Sequence, residues 1–443
     1  MKTIQAPCII MPTIKESGIN REVAPPITDA THLHIELPLY EKHVLKNGVE
    51  VYLFNMGTQD TMMLNWVFDA GNSYEEKNLV AAATNHLLKN GTRQKDAFAI
   101  NEHFEYYGSY LNRNCYNETA EISLHCISKH VGELLPVLAE LVSESVFPEQ
   151  ELDIFKKNMQ QRLKVNLQKN EFVANRLIEA YLFGEQHPYG RYSKEEDYEA
   201  LEQNELLQFF DHYYQNGRSV IFAAGVLPKG LLSQLESAFG SLNLQRHVLP
   251  SNGQPLHPAT EKKYRLQNST DGVQGSIRLG RLFPNRKHPD FPRMQVLNNV
   301  LGGFFGSRLM NNIREDKGYT HGIHSYLLNH IQTSSLVIST EAGKGVCEPA
   351  LLEVYKEMDR LCNDPMPAEE LMLTRNYLIG SILSELDGPF QVAARWKNYI
   401  LNGLAEDYFY NSMQMIRDIT PKELQMIAQK YFDKAQFYEL IVV

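Results

Sequence analysis

Histidine, glutamate and cysteine are the side chains that most often grip metals or move protons, so their spacing comes first. In zinc peptidases built on the inverted motif H-x-x-E-H, two histidines at i and i+4 lie one turn apart on a single helix face. The glutamate beside them takes a proton from metal-bound water, and a third ligand arrives from a later helix. This chain contains neither H-x-x-E-H nor its mirror H-E-x-x-H. The pairs His32/His34 and His321/His324 have no carboxylate or thiol set at ligand spacing. The five cysteines, at 8, 115, 126, 347 and 362, form no C-x-x-C pair, so neither a thiolate zinc site nor a disulfide framework is expected. Glycines 302, 303 and 306 precede a helical pattern, but no Lys-Ser/Thr follows and no dinucleotide-binding pattern surrounds them. A tight, closely packed turn is the first reading of these glycines, and anion binding at a helix start is the second.

The elements that must position such residues are those of an ordinary globular chain. It has 443 residues, 43% hydrophobic and 22% charged, which suggests two or three domains. The net charge of −10 leaves no basic excess to neutralise phosphates and argues against nucleic acid as partner. No run of 18 apolar residues occurs, so no membrane span is expected. Reduced thiols point to a reducing, cytoplasmic compartment. The N-terminal stretch, broken by Pro12, reads poorly as a secretory leader, and a periplasmic location would require a leader lost from this sequence.

Along the chain, residues 1–40 read as an irregular extension containing Pro25-Pro26 and Pro38. Asn47-Gly48 sits between β-rich runs in 42–54 and marks a hairpin. Strands are expected at 61–69, 119–127 and 218–226, and helices at 75–90, 96–107, 131–145, 149–169, 171–183 and 203–215. The proline-bearing stretch 229–262 reads as a linker. Beyond it, a strand starts near 263 and helices fit 291–300, 306–315, 347–362, 367–385, 389–403 and 421–431. The two halves, 41–228 and 263–443, resemble each other. FPEQELDIFKKN (147–158) matches MPAEELMLTRNY (366–377), and NELLQFFDHYYQ (204–215) matches KELQMIAQKYFD (422–433) 218 residues later. Glu205 pairs with Glu423, Leu206 with Leu424 and Tyr213 with Tyr431. Near-constant offset in the same order means two copies of one α+β unit.

The order of segments over residues 40–443 resembles the pitrilysin/insulinase (M16) family of zinc metallopeptidases. GNSYEEKNLVAAATNHLLKNGT (71–92) stands where the family places its zinc helix and Gly-Thr pair. YYGSYLNRNCYNETAEISL (106–124), FPEQELDIFKKNMQQRL (147–163) and HPYGR (187–191) resemble later family segments. The resemblance implies an α+β fold of two homologous domains, each a mostly antiparallel sheet covered by helices. Counting back from Gly91-Thr92, the second motif histidine is His86, the glutamate position holds Asn85 and the first histidine position holds Ala82. The third-ligand position holds Phe155, and a further family glutamate corresponds to Arg162. Alanine and phenylalanine offer zinc no lone pair, and Asn85 is no base at neutral pH. His86 then reads either as a helix histidine packed or hydrogen-bonded locally or as a residual metal ligand.

In the second half, LNNVLGGFFGSRLMNNIREDKGYTHGI (297–323) resembles the family's Gly-Gly segment. In active members an arginine and a tyrosine from this segment reach toward substrate at the zinc. The arginine corresponds to Arg314; the tyrosine position falls on His321, or on Tyr319 if the register slips. An ordinary surface ion pair, Arg314-Glu315, is the alternative. Three functions follow from the resemblance. In the first, the chain is the zinc-free partner in a heterodimer with a catalytic M16 homologue; it positions peptide or unfolded polypeptide and completes the chamber, with zinc only on the partner. A homodimer is the variant of this arrangement. In the second, it is a scaffold or peptide-binding protein with no proteolytic partner. In the third, it is an active zinc endopeptidase with ligands from elsewhere in the chain.

Overall fold

The computed structural model describes residues 29–245, 254–269 and 272–443. The readings that rest on Cys8, the leader, Pro25-Pro26 and Pro250 fall outside these residues. The strands are β1 (Glu41–Val44), β2 (Glu50–Asn55), β3 (Thr61–Phe68), β4 (Tyr110–Cys115), β5 (Ala120–Ile127), β6 (Ser219–Gly225), β7 (Lys263–Leu266), β8 (Gln274–Phe283), β9 (Thr320–Asn329), β10 (Ser334–Gly343) and β11 (Tyr438–Val442). The helices of the first half are α1 (Val80–Leu87), α2 (Ala97–Tyr106), α3 (Val131–Glu144), α4 (Glu149–Leu167), α5 (Asn170–Phe183), α6 (Glu195–Glu199), α7 (Gln203–Phe210) and α8 (Leu231–Phe239). Those of the second are α9 (Phe291–Asn298), α10 (Cys347–Asn363), α11 (Ala368–Ser384), α12 (Pro389–Leu401), α13 (Tyr408–Asp418) and α14 (Pro421–Tyr431). Among the described residues, no helix is long and apolar enough to cross a membrane.

The chain divides into two compact units. The first contains a six-stranded sheet in the order β1-β2-β6-β3-β5-β4, in which only the β2–β6 pair is parallel. Its central strand β3 alternates with period two: Met62, Leu64, Trp66 and Phe68, each at most 1% exposed, belong to the helix-covered core. Trp66 lies 4.3 Å from Phe239 and Phe68 lies 4.8 Å from Tyr214, centroid to centroid. Burying each such side chain contributes about 1.5–3 kcal/mol relative to leaving it in water. Residues 388–397, the start of α12, also join this unit, with Trp396 edge-on against Tyr40 at 4.9 Å and Phe390 against His125 at 5.5 Å.

The second unit contains a five-stranded sheet in the order β7-β11-β8-β10-β9, with only β7–β11 parallel. Residues 29–38 join it: the Ala30 amide donates to Asn376 Oδ1 at 2.8 Å and Arg417 donates to the Leu33 carbonyl at 2.6 Å. The strand orders β2-β6-β3-β5-β4 and β7-β11-β8-β10-β9 are the same order in two copies, as the internal repeat requires. The matched glutamates have matched roles. Glu205 accepts from the Glu202 amide at 3.0 Å at the start of α7, and Glu423 accepts from the Thr420 amide at 2.8 Å at the start of α14. Each satisfies a backbone donor that the first helical turn leaves open. Leu206 and Leu424 are both fully buried one residue later.

One expectation needs correction. The stretch 229–262 opens with α8, not with linker, and Leu231, Leu235 and Phe239 of that helix are buried in the first core. Its three apolar positions follow the helical spacing of four, and Pro228 precedes the helix without interrupting it.

The capping arrangement of α14 gives a direct test. Thr420→Ala removes the hydroxyl that accepts from the Glu423 amide at 3.2 Å and should cost about 1 kcal/mol. Thr420→Ser should be nearly neutral, and chemical unfolding midpoints read both.

Candidate functional site

The first-unit site is built on α1, and α1 is held at its N-terminus. After β3 the chain turns at Gly71, where an added Cβ would meet the Asn117 carbonyl oxygen at 2.3 Å, so only glycine fits. Four residues on, the side chain of Glu75 is 1% exposed. Its carboxylate accepts from the Leu79 amide at 3.1 Å, from the Ala81 amide at 2.8 Å and from Arg191 Nη2 at 2.7 Å. Amides at the open end of a helix and a guanidinium both favour the anion. Burial nevertheless pushes the Glu75 pKa up to about 7, against the pull of the Ala81 amide and Arg191.

On α1 itself, Ala81 and Ala83 are fully buried small residues. Asn85 points into the core, 2% exposed, and donates to Tyr214 Oη at 3.1 Å and to the Glu121 carbonyl at 3.4 Å. His86 lies on the outer face of the helix, exposed, with its ring 4.9 Å from that of Phe155 on α4. Phe155 is itself buried and belongs to the hydrophobic core. The structure therefore brings together His86 and Phe155, the residues that the resemblance assigns to the second and third ligand positions. It turns Asn85 inward, leaves Ala82 as a half-buried methyl and leaves Arg162 exposed two turns along α4. These residues do not fit a zinc ion: two of three ligand positions carry only carbon. Among the described residues, no group of three or more His, Cys, Asp or Glu side chains gathers that could hold a metal.

Two cations, Arg113 and Lys89, lie at the C-terminal end of this helix. Arg113, on β4, donates through Nη1 to the His86 carbonyl near the end of α1. Burial pushes its pKa down to about 10, and only the phenols of Tyr214 and Tyr110 oppose that shift. Burial, Arg113 and Lys89 together hold the His86 imidazole below its ordinary pKa. Lys89 is lowered too, by burial and then by Arg113.

In the second unit, Arg314 sits in a wide π-type turn, Met310–Asp316. Its guanidinium stacks 4.8 Å over Phe305 and pairs with Glu315 at 3.2 Å. Tyr319 is half-buried just beyond that turn, and His321 is exposed on β9, the last strand of its sheet. Gly302 is closely packed: a Cβ there would meet the Ser325 amide at 2.8 Å. This contact favours the packed-turn reading of the glycines.

Two buried charge pairs had no local sequence signal that joined their members. One is Glu75–Arg191, although HPYGR stood out as a segment. The other is Glu121, 6% exposed on β5, whose carboxylate meets Lys397 Nζ at 2.7 and 2.8 Å and accepts from Asn65 at 3.1 Å. Both join residues more than 100 positions apart, and only an alignment would reveal their coupling.

The Glu75–Arg191 pair predicts a pH-dependent loss. Removing one partner of a buried pair costs about 3–5 kcal/mol because the other charge stays buried. Arg191→Ala should therefore lose about 3 kcal/mol at pH 8. Glu75 has a raised folded-state pKa, so its favourable contribution is complete below its unfolded value near 4.5 and fades as pH rises through about 7. The variant's deficit should shrink at pH 5, where the carboxyl keeps its proton, and unfolding at the two pH values measures it.

Comparison with known proteins agrees with this architecture. Residues 51–191 match the family described as Insulinase (Peptidase family M16), and residues 200–378 match Peptidase M16 inactive domain. A Bacillus subtilis protein named as an uncharacterized zinc protease, YmxG, is 25% identical over 82% of this chain and 89% of its own length. A Helicobacter pylori protein named as a non-peptidase homolog is 22% identical over 85% of this chain and 86% of its own. A Schizosaccharomyces pombe protein named "Probable mitochondrial-processing peptidase subunit beta" is 26% identical over 60% of each chain. The crystal structure of a peptidase M16 inactive domain from Pseudomonas fluorescens superposes with a TM-score of 0.81 at 21% identity, covering 91% of this chain and 98% of that one. With both family segments matched in order over two sheets of the same topology, this chain belongs to the M16 peptidase family.

Proposed function

We propose that this chain is a non-catalytic M16 subunit that holds extended peptide and works beside a zinc-bearing homologue. The observation that carries this reading is the contact between His86 and Phe155. A metal needs two more lone-pair donors there, and the positions supply a buried phenyl ring and the methyl of Ala82. Asn85 cannot act as the base, and its amide is engaged by Tyr214 and the Glu121 carbonyl.

The capacity to hold peptide rests on strand edges. β4 ends the first sheet and β9 ends the second, so among the described residues each has one side without a neighbour in its sheet. Such an edge offers a row of backbone donors and acceptors that an extended peptide joins as a further strand. β4 packs against α1, which puts its edge beside the degenerate helix. The subunit named in the fission-yeast relative supports a partnered arrangement. Arg314 and His321, with Tyr319 beside them, are the second-unit side chains we assign to peptide contact.

The experiment is to purify the chain alone and with an M16 homologue carrying intact H-x-x-E-H from the same genome. Metal analysis of the isolated chain should find less than about one zinc per ten molecules, and peptide hydrolysis should be absent. The pair should hydrolyse peptides at least about tenfold faster than the homologue alone. Stoichiometric zinc with unaided hydrolysis would falsify the proposal, and failure to bind any such homologue would leave the scaffold reading instead. The triple variant Ala82→His, Asn85→Glu, Phe155→Glu should gain zinc if these are the ligand positions.

A further inference from the structure

The environment of α1 has a charge that the degenerate motif alone does not explain. Three groups that are or can become cations converge there: His86, Lys89 just past the helix, and Arg113 on β4. Arg113 is only partly exposed, and its Nε is buried with no hydrogen-bond partner among the described residues. Among the described residues, no ion pair joins any of the three to a carboxylate. Glu105 on α2 acts against the lowering of the Lys89 pKa, and an oxygen of Glu151 accepts from Asn90 at 2.7 Å. On α4, Phe155 facing the cluster is neutral and Arg162, seven residues on along the same stripe, is a further cation.

A cation withdrawn from water without a counter-ion is costly, and an anion that completes the cluster recovers that cost. Arg113 does have a structural duty, since a guanidinium on the last carbonyls of a helix steadies its C-terminal end. That duty uses Nη1 and accounts for neither Lys89 nor the missing acid. Arg113 also lies within β4, on whose free edge a peptide strand would lie, so the cluster is within side-chain reach of that strand.

We infer that the His86–Lys89–Arg113 cluster is a carboxylate-recognising subsite, so that the peptides held at the β4 edge are selected for acidic side chains. This rests on the peptide-holding reading above and adds the substrate class. It runs against the chain's overall charge of −10. At physiological salt, charges beyond about 8 Å are largely screened, so the local cluster decides and not the net charge.

The test uses three end-blocked peptides of about ten residues, alternating Thr with Glu, Gln or Lys. In an extended strand, alternation puts the varied side chain on one face. Binding to the full chain is read by fluorescence anisotropy. The Glu peptide should bind about tenfold more tightly than the Gln peptide, and the Lys peptide more weakly than both. The Glu/Gln ratio should fall below about threefold in Lys89→Gln, in Arg113→Gln and in about 0.5 M salt, and survive in Lys89→Arg. Lys89→Gln keeps the test decisive even where Arg113→Gln disturbs α1. Equal binding of all three peptides, or an unchanged ratio in Lys89→Gln, overturns the acidic preference and leaves peptide holding intact. Binding of none of the three overturns both.

Discussion

The placement of α1 depends on one buried carboxylate. Glu75 accepts two amides at the start of the helix and a guanidinium from Arg191, more than 100 residues later in the chain. An eight-residue helix has little stability of its own in water, because nucleation costs more than so few hydrogen bonds return. Here an anion at its open N-terminus and a cation, Arg113, at its carbonyl end fix both termini. Between those anchors, the buried Ala81, Ala83 and Asn85 lock its rotation, and the exposed His86 marks the outward side. The rotation of α1 is thus set by packing and by its two charged ends.

What replaced the donors is instructive. A glutamate at position 85 facing inward would be a charge beside the fully buried Tyr214; asparagine keeps a hydrogen bond to that phenol without the charge. At position 155 a buried phenyl joins the core and covers one side of the His86 ring. Each change substitutes packing or neutral hydrogen bonding for coordination.

Much of the fold was legible because it is local or repeated. The period-two pattern of β3 and the long helices α4, α10 and α11 come from short-range spacing. The matched glutamates 205 and 423 were visible as similar letters and proved to be the same capping residue in two copies. The assignment of Ala82, Asn85, His86 and Phe155 came from the family resemblance; in the structure the rings of His86 and Phe155 lie 4.9 Å apart. The misreading of α8 has a clear origin: the prolines around it raised the loop signal, while its apolar spacing of four was too short to stand out. The pairs Glu75–Arg191 and Glu121–Lys397 were not legible, because a single sequence gives no signal for which distant charges meet.

Net charge is the coarsest of the sequence observations and the one most easily over-read. An excess of ten negative charges over 443 residues describes solubility and long-range repulsion. A ligand strand at a sheet edge senses only what lies within a screening length. Near α1, Asn85 is bound to Tyr214, Phe155 lies in the core and Glu151 accepts from Asn90, which leaves the exposed Glu105 on α2 as the acid that acts on Lys89. What a peptide strand at the β4 edge would sense is therefore the local charge of Lys89 and Arg113, not the excess summed over the whole chain.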